Sequence, residues 1–433
     1  MNFFYVNFLQ LFQYLFSFDF GVYIFFVNFA QRVFDYNHFT SNIMKRHIIL
    51  TSLLALTMAV GSVNAQDWQG TWATAVEFTG PGDMPKASLS NRSVRMIVHV
   101  STGGNTLRLQ LSNVFGSSDT DIRSVYVADA GEAQQIDVKS AKYLTFNGKK
   151  NVTLKKGESL YSDEFAYNLK PLQLLSITIN YGDRTPENAT SHRGSRTTSY
   201  IIAGESKPKT SFDAPQETLE HWYNIAAIDV KTTQKTPVVA CLGNSITDGR
   251  GTTTNKQNRW TDFLAEGLGG KVGVLNLGIG GNAVIKGGLS EPALKRFDRD
   301  IMEQQGVTSL IIFEGVNDIG GARNDSEQRA NDLIAAYREM MAKAHNKGIK
   351  VYLGTITPFK GNGYYTIFHE AARQFVNDWI RNCKECDGII DFDALVRDPN
   401  DPAKIKAEYS DDWLHLNPKG YEAMGKLAAE KLK

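Results

Sequence analysis

The chain runs to 433 residues, longer than one average domain, so two domains plus processing segments are expected. Its 47 Lys and Arg balance 46 Asp and Glu to a formal net charge of +1. That balance gives no sequence-wide electrostatic ground for nucleic acid or an anionic membrane as partner, and it favours small or neutral ligands.

Residues 1–43 hold half of the chain's 24 phenylalanines and almost no charge. At Met44 the pattern changes to MKRHIILTSLLALTMAVGSVNA. Lys45 and Arg46 form a basic start, an apolar core follows from Ile48 to Val60, and Val63 and Ala65 are the small residues before a cut. This predicts a signal peptide over 44–65, cleaved after Ala65, and a secreted or periplasmic protein. Residues 1–43 are then read as a misassigned upstream segment. The rival is a membrane helix within 3–29, but Asn7, Gln10, Gln13, Asp19 and Asn28 interrupt it, so no stable membrane insertion is expected after signal removal. No cysteine follows the cut directly, which argues against a lipid anchor.

Residues 66–235 alternate with period two in SVRMIVHV (93–100), TLRLQLSN (106–113), IRSVYVAD (122–129) and QLLSITINY (173–181). Short strands without helical patterns between them predict an antiparallel β-sandwich or jelly-roll-like domain. The polar, proline-bearing stretch GESKPKTSFDAP (204–215) is expected to be a surface connection before the next domain.

Residues 236–433 read differently. Apolar runs at 237–242, 271–277, 308–313, 349–354 and 388–392 alternate with helical stretches. They predict an α/β fold with a doubly wound parallel five-stranded sheet, whose ligands bind at the carboxyl ends of the strands. The clearest helix follows Asp325: Ala330, Leu333, Ile334, Tyr337 and Met341 recur at three and four, Asp325 or Ser326 can cap it, and Gly348 can end it. Of the three cysteines, too few for a disulfide scaffold, Cys241 lies in the first apolar run, where core packing is the default. Cys383 and Cys386 form a lone CKEC. Without a second pair or a histidine cluster it does not make a zinc site, and a small disulfide or two free thiols both fit.

Four stretches of this second half can do chemistry. GNSITDG (243–249) puts Ser245 at a strand end, as a nucleophile or as a turn or capping residue. NLGIGGNA (276–283) lacks both the GxGxxG order and the GK[ST] of phosphate loops, but its glycines let a backbone N–H approach an oxyanion. FEGVNDIG (313–320) offers the Asn317 amide. In SDDWLHLNPKGY (410–421) Asp412 and His415 are three apart, so the carboxylate can reach one ring nitrogen while the other faces outward.

Together these blocks, in this order, resemble the SGNH or GDSL-type hydrolase family. The resemblance implies Ser245 as nucleophile, His415 as base with Asp412 as its orienter, and the Ser245 and Gly281 N–H groups with the Asn317 amide as the oxyanion hole. Gly278 and Gly280 are neighbouring alternatives to Gly281. No cofactor and no metal are implied. Asn244 departs from the commonest first block, which has aspartate there. GRGTTTNKQNRWTDFLAEGL, ALKRFDRD, DWQGTWATA and LRLQLSNVFG resemble a secreted arylesterase or acylhydrolase branch associated with xylan breakdown. The implied partner is a small-molecule or polysaccharide ester, with no nucleic acid. The implied reaction is hydrolysis of acetyl or other short O-acyl esters. The alternatives are a lipolytic acylhydrolase or thioesterase, and an inactive carbohydrate-binding protein. The β domain is expected to shape one cleft wall, and Trp260 and Trp413 are candidates to line the pocket, a core role being as open for Trp260.

Overall fold

In the computed structural model, residues 68–232 and 236–433 are described. The expected upstream segment and signal peptide lie outside the described residues. Three antiparallel sheets make up the first part of the described chain. One is five-stranded: Trp68–Ala73, Ile225–Lys231 and Gly104–Ser112 lie side by side, and Ser159–Tyr161 and Phe165–Leu169 both pair with the last of these. Its alternation is direct, because Leu107, Leu109 and Leu111 are buried while Arg108 and Gln110 between them are not. The second is seven-stranded and centred on Arg92–His99, Leu174–Tyr181 and Thr120–Asp129. Leu109, Leu111, Val94, Met96, Val127, Ile177 and Ile179 meet in one core between the two sheets, as in a sandwich. A three-stranded sheet of Trp222–Tyr223, Ala189–His192 and Glu77–Thr79 completes this region.

The four period-two runs fall on Arg92–His99, Gly104–Ser112, Thr120–Asp129 and Leu174–Tyr181. Residues 204–215 differ from the expectation. They join Ser199–Ala203 to Glu217–Leu219, which pair with each other inside the seven-stranded sheet, so they do not lead to the next region. Most of them lie at the surface, as expected, with Ser206 and Phe212 turned inward. Phe212 is buried beneath the Arg95 guanidinium, 4.1 Å from its ring centre, and Arg95 donates to Lys209 O and Thr210 O. A buried arginine needs acceptors, and this segment supplies two of them beside Gln134 O.

The second part is the parallel sheet, in the order Gly273–Gly278, Val238–Gly243, Val307–Phe313, Lys350–Gly354, Gly388–Ile390. Every residue of Val238–Gly243 is buried, as expected for a parallel strand covered on both faces. The order reverses direction between Val238–Gly243 and Val307–Phe313, which makes the crevice beyond their carboxyl ends the binding position of such a sheet. The helix Ser326–Asn346 buries Ala330, Leu333, Ile334, Tyr337 and Met341, and Gly348 follows it at φ +74°, a left-handed stop.

The two parts share one compact unit, Gln66–Lys433. Ser101 Oγ accepts from Val274 N at 2.8 Å, and His99 Nδ1 lies 2.8 Å from Asp262 Oδ1. Burial pushes the Asp262 carboxyl up, but Arg259 and His99 outweigh it and hold it at about 2. Gly273 permits the close approach, since a Cβ there would sit 2.2 Å from Gly70 O.

Candidate active site

The strand Val238–Gly243 runs straight into a one-turn helix, Ser245–Asp248. Gly243 lets the turn fold back, because a Cβ there would lie 2.0 Å from Thr247 Oγ1. Asn244 caps the turn by accepting from Ile246 N at 3.0 Å, and Gly249 at φ +105° ends it, donating to Ser245 O at 3.0 Å. Ser245 is thereby fixed at the mouth of the crevice with only 8% of its surface exposed.

The loop before the last helix, Pro418–Leu432, brings an imidazole to the serine. His415 Nε2 lies 2.8 Å from Ser245 Oγ, and His415 Nδ1 lies 2.7 Å from Asp412 Oδ2. A carboxylate only accepts, so Nδ1 donates to it and Nε2 is left to accept from the serine hydroxyl. The other Asp412 oxygen accepts from Leu414 N at 3.0 Å and His415 N at 2.8 Å. Ser410 Oγ locks the loop, accepting from Trp413 N at 2.9 Å and donating to His415 O at 2.6 Å. Burial pushes the Asp412 carboxyl up, but the His415 bonds outweigh it and the net direction is down. For His415 burial acts first and lowers its affinity for a proton; Arg250 and Arg196 add to this, Asp412 opposes it, and the net direction is down from 6.5.

The glycine loop after Gly273–Gly278 sorts its own members. A Cβ on Gly278 would lie 2.3 Å from Asp248 N and 3.0 Å from Asn244 O, and its N–H already donates to Asn276 Oδ1 at 3.1 Å. Gly278 therefore serves packing against the serine turn. Gly281 stands at φ +69°, a conformation that favours glycine, and its carbonyl accepts from Leu289 N at 2.8 Å. Asn317 sits in the short helix Val316–Gly320 and donates from Nδ2 to Asn282 O at 2.7 Å, which ties it to the residue after Gly281.

Several side chains at this site escaped the sequence reading. Tyr364 donates its hydroxyl to Asn317 Oδ1 at 3.0 Å, which turns the amide so that Nδ2 is the donor end. Gly320 makes room for that ring, since a Cβ there would lie 2.3 Å from Tyr364 Cδ2. Glu314, buried, accepts from Asn244 Nδ2 at 3.1 Å. His192 and Arg196 reach in from the β-rich region to Asp248. A lone tyrosine in a loop and a His-Arg-Gly-Ser-Arg run carry no spacing that marks them.

Trp260 is core: it is fully buried, stacks at a tilt 5.6 Å from Phe392, and donates to Thr247 Oγ1 at 3.3 Å. Trp413 is partly exposed, stands at φ +62°, and carries the Lys404 ammonium 3.8 Å from its ring centre. Cys383 and Cys386 are free thiols and Cys241 is buried. Burial pushes the Cys386 thiol up to about 11. Among the described residues no group of three or more His, Cys, Asp or Glu is arranged to hold a metal ion, and no helix is long and apolar enough to cross a membrane.

Residues 241–423 match the model of the GDSL-like lipase/acylhydrolase family. The uncharacterized lipoprotein YqeF of Bacillus subtilis (strain 168) is 30% identical over 124 residues, 28% of this chain and 47% of the relative. The chain thus matches about half the length of that curated relative. Among solved structures, a GDSL-like lipase from Bacteroides thetaiotaomicron VPI-5482 is 18% identical, with 46% of this chain and 88% of that chain covered and a TM-score of 0.35. A family two carbohydrate esterase from Cellvibrio japonicus is 12% identical, with 85% of this chain and 94% of that chain covered and a TM-score of 0.35. The C-terminal part is a GDSL-type, or SGNH, hydrolase domain on a parallel five-stranded sheet, preceded by an antiparallel β-rich region.

Proposed function

We propose that this hydrolase domain is a serine esterase that removes acetyl or other short O-acyl groups, with plant polysaccharides or oligosaccharides such as acetylated xylan as the substrate class. The observation that carries the reading is the unbroken chain from Ser245 Oγ to His415 at 2.8 Å and from His415 to Asp412 at 2.7 Å. Serine at its ordinary acidity is a poor nucleophile and needs a neutral imidazole within hydrogen-bond reach. His415 takes the Ser245 proton as Oγ attacks the ester carbonyl, and Asp412 stabilises the imidazolium that forms without becoming protonated. The carbonyl oxygen, now negative, accepts from the Ser245 and Gly281 N–H groups and the Asn317 amide. His415 returns the proton to the departing alcohol, and water then cleaves the acyl-enzyme by the same route.

The acyl and alcohol preferences rest on the resemblance of GRGTTTNKQNRWTDFLAEGL and ALKRFDRD to the xylan-associated branch. One observation favours longer acyl chains instead. Ile367 and Phe368, 77% and 76% exposed, follow within four residues of Tyr364, which touches the oxyanion amide. Acetate release from acetylated xylan, acetylated pectin and mono-acetyl sugars, set beside hydrolysis of long-chain esters, decides between them. The proposal expects turnover to fall as the acyl chain lengthens, and the opposite order would assign a lipolytic role.

Export through 44–65, with a β-rich domain over 66–235 and the hydrolase domain over 236–433, belongs to the same proposal. N-terminal sequencing of the mature protein tests it, with Gln66 expected as the first residue.

A further inference from the structure

Asp248 closes the turn that begins at Ser245: its backbone N–H donates to Asn244 O at 2.9 Å, and its carbonyl accepts from Arg259 Nε at 3.2 Å. Its carboxylate is fully buried three residues from Ser245, and among the described residues the side chains that pair with it, His192 and Arg196, both come from the β-rich region. His192 Nε2 lies 2.8 Å from Asp248 Oδ1, and Arg196 pairs with Oδ2. Gly194 brings the loop backbone against the same carboxylate, since a Cβ there would lie 2.1 Å from Oδ1. A side chain at 194 would prise the two apart.

The loop is itself held from the hydrolase side. Arg259 donates to Ser195 O, and Asn255 N donates to Arg196 O at 3.0 Å. Arg196 stands at φ +51°, a left-handed backbone that a non-glycine residue keeps only where its surroundings enforce it. The His192 ring is fixed too. Nδ1 lies 2.9 Å from Ala75 O, which can only accept, and Nε2 faces a carboxylate, so both nitrogens donate. Burial alone would strip that second proton, but the Asp248 bond and charge and the Glu77 charge outweigh it and the net direction is up. A buried carboxylate held by two cations and one glycine has a single position, and it fixes the last residue of the serine turn.

We infer that the β-rich region completes the catalytic centre, with His192 at the end of its strand and the loop that follows to Arg196 acting as the positioning device that sets Ser245 through Asp248. His192 and Arg196 are positioning residues, because they bond to Asp248 and do not touch the reacting atoms, although the Arg196 charge also lowers the proton affinity of His415. The inference rests on Ser245 being the nucleophile. A displacement of the serine turn by about 1 Å is enough to cost roughly 10²-fold in rate, so the loop should govern turnover more than substrate binding.

The test uses the full chain, with a fluorophosphonate to count reactive serines and an activated acetyl ester to read kcat per labelled site. Labelling of the unaltered protein at Ser245 secures the nucleophile first; no labelling there would remove the reading on which the inference rests. His192→Ala is then expected to lower both kcat per labelled site and the labelling rate constant by roughly 10- to 100-fold, with KM little changed. His192→Gln, which keeps a donor toward Asp248, should restore most of both. A loop with a merely structural role would instead lower Tm and the labelled fraction while leaving the rate per labelled site unchanged, and that result overturns the inference. If His192→Ala does not fold, Arg196→Met decides by the same two rates, read at about pH 8 to 9 on the plateau of the pH–rate profile, where the lost Arg196 charge no longer changes the neutral fraction of His415.

Discussion

The Asn244 amide donates to Glu314 Oε2 at 3.1 Å while its Oδ1 caps the serine turn through Ile246 N at 3.0 Å. The commonest first block of the family has aspartate at this position, which could keep the cap but would lose the donor. Glu314 is fully buried, and burial pushes its carboxyl up to about 8, with Asp318 adding to the rise and Arg296, Asn244 and the Gly315 N–H opposing it. An amide is therefore the fitting neighbour for a carboxyl in this place.

Asn244→Asp sets a second carboxyl against Glu314, and two such groups contend for one proton. The sign follows from where the proton sits. Between pH 4.5 and about 8 the folded chain holds a Glu314 proton that the unfolded chain releases, so this group's contribution falls as pH rises through that window. The variant deepens the fall. Thermal melts should show little difference from the unaltered protein at pH 5 and a clear loss at pH 8, on a scale of about 2–4 °C per kcal/mol. An equal offset at both pH values would contradict the coupling.

Tyr364→Phe removes the hydroxyl that orients the Asn317 amide and leaves the ring that Gly320 accommodates. Turnover should fall by roughly tenfold or less, and Asn317→Ala should cost more, about 10²- to 10³-fold. Steady-state kinetics check both, since a change confined to KM would place Asn317 in ground-state binding.

In the proposed mechanism His415 works only when neutral, so the acid side of the pH–rate profile should report it. Its affinity for a proton is lowered from 6.5 by burial and by Arg250 and Arg196, so the base stays neutral to lower pH than a free imidazole. The acid limb of kcat/KM should have its midpoint below pH 6.5. Asp412→Asn removes the one group that opposes this, so it should move the limb further down and reduce kcat by up to about 10⁴-fold. A midpoint above 6.5 would mean another group governs the limb.

The architecture was legible where periodicity is physical. Leu107, Leu109 and Leu111 share one face of a strand, and Ala330, Leu333, Tyr337 and Met341 share one face of a helix, because burial selects them together. That Ser245, Asp412 and His415 come together, at 2.8 and 2.7 Å, was legible because they lie in short blocks whose order is informative. Residues 204–215 are at the surface as expected but misled as to what they connect, because a polar, proline-bearing stretch looks the same between two domains as between two strands of one sheet, and the Arg95 guanidinium over Phe212 is a contact that no local pattern encodes. Nothing in GNSITDG (243–249) marks Asp248. Its partners His192 and Arg196 stand more than fifty positions earlier, in a region whose period-two pattern describes the sandwich and says nothing of a loop that crosses to the serine turn. Tyr364 likewise acts through a single bond across 47 residues, and no local pattern encodes such a contact.

Turnover of an activated acetyl ester by Ser245→Ala, measured beside the unaltered protein, tests the proposed chemistry most directly. The substitution removes one buried hydroxyl whose hydrogen bond at 2.8 Å goes to His415, so thermal melting and circular dichroism should stay close to those of the unaltered protein. Turnover should fall to the background rate, whereas a folded Ser245→Ala protein that retains esterase activity would contradict the assignment of Ser245 as the acyl-accepting residue.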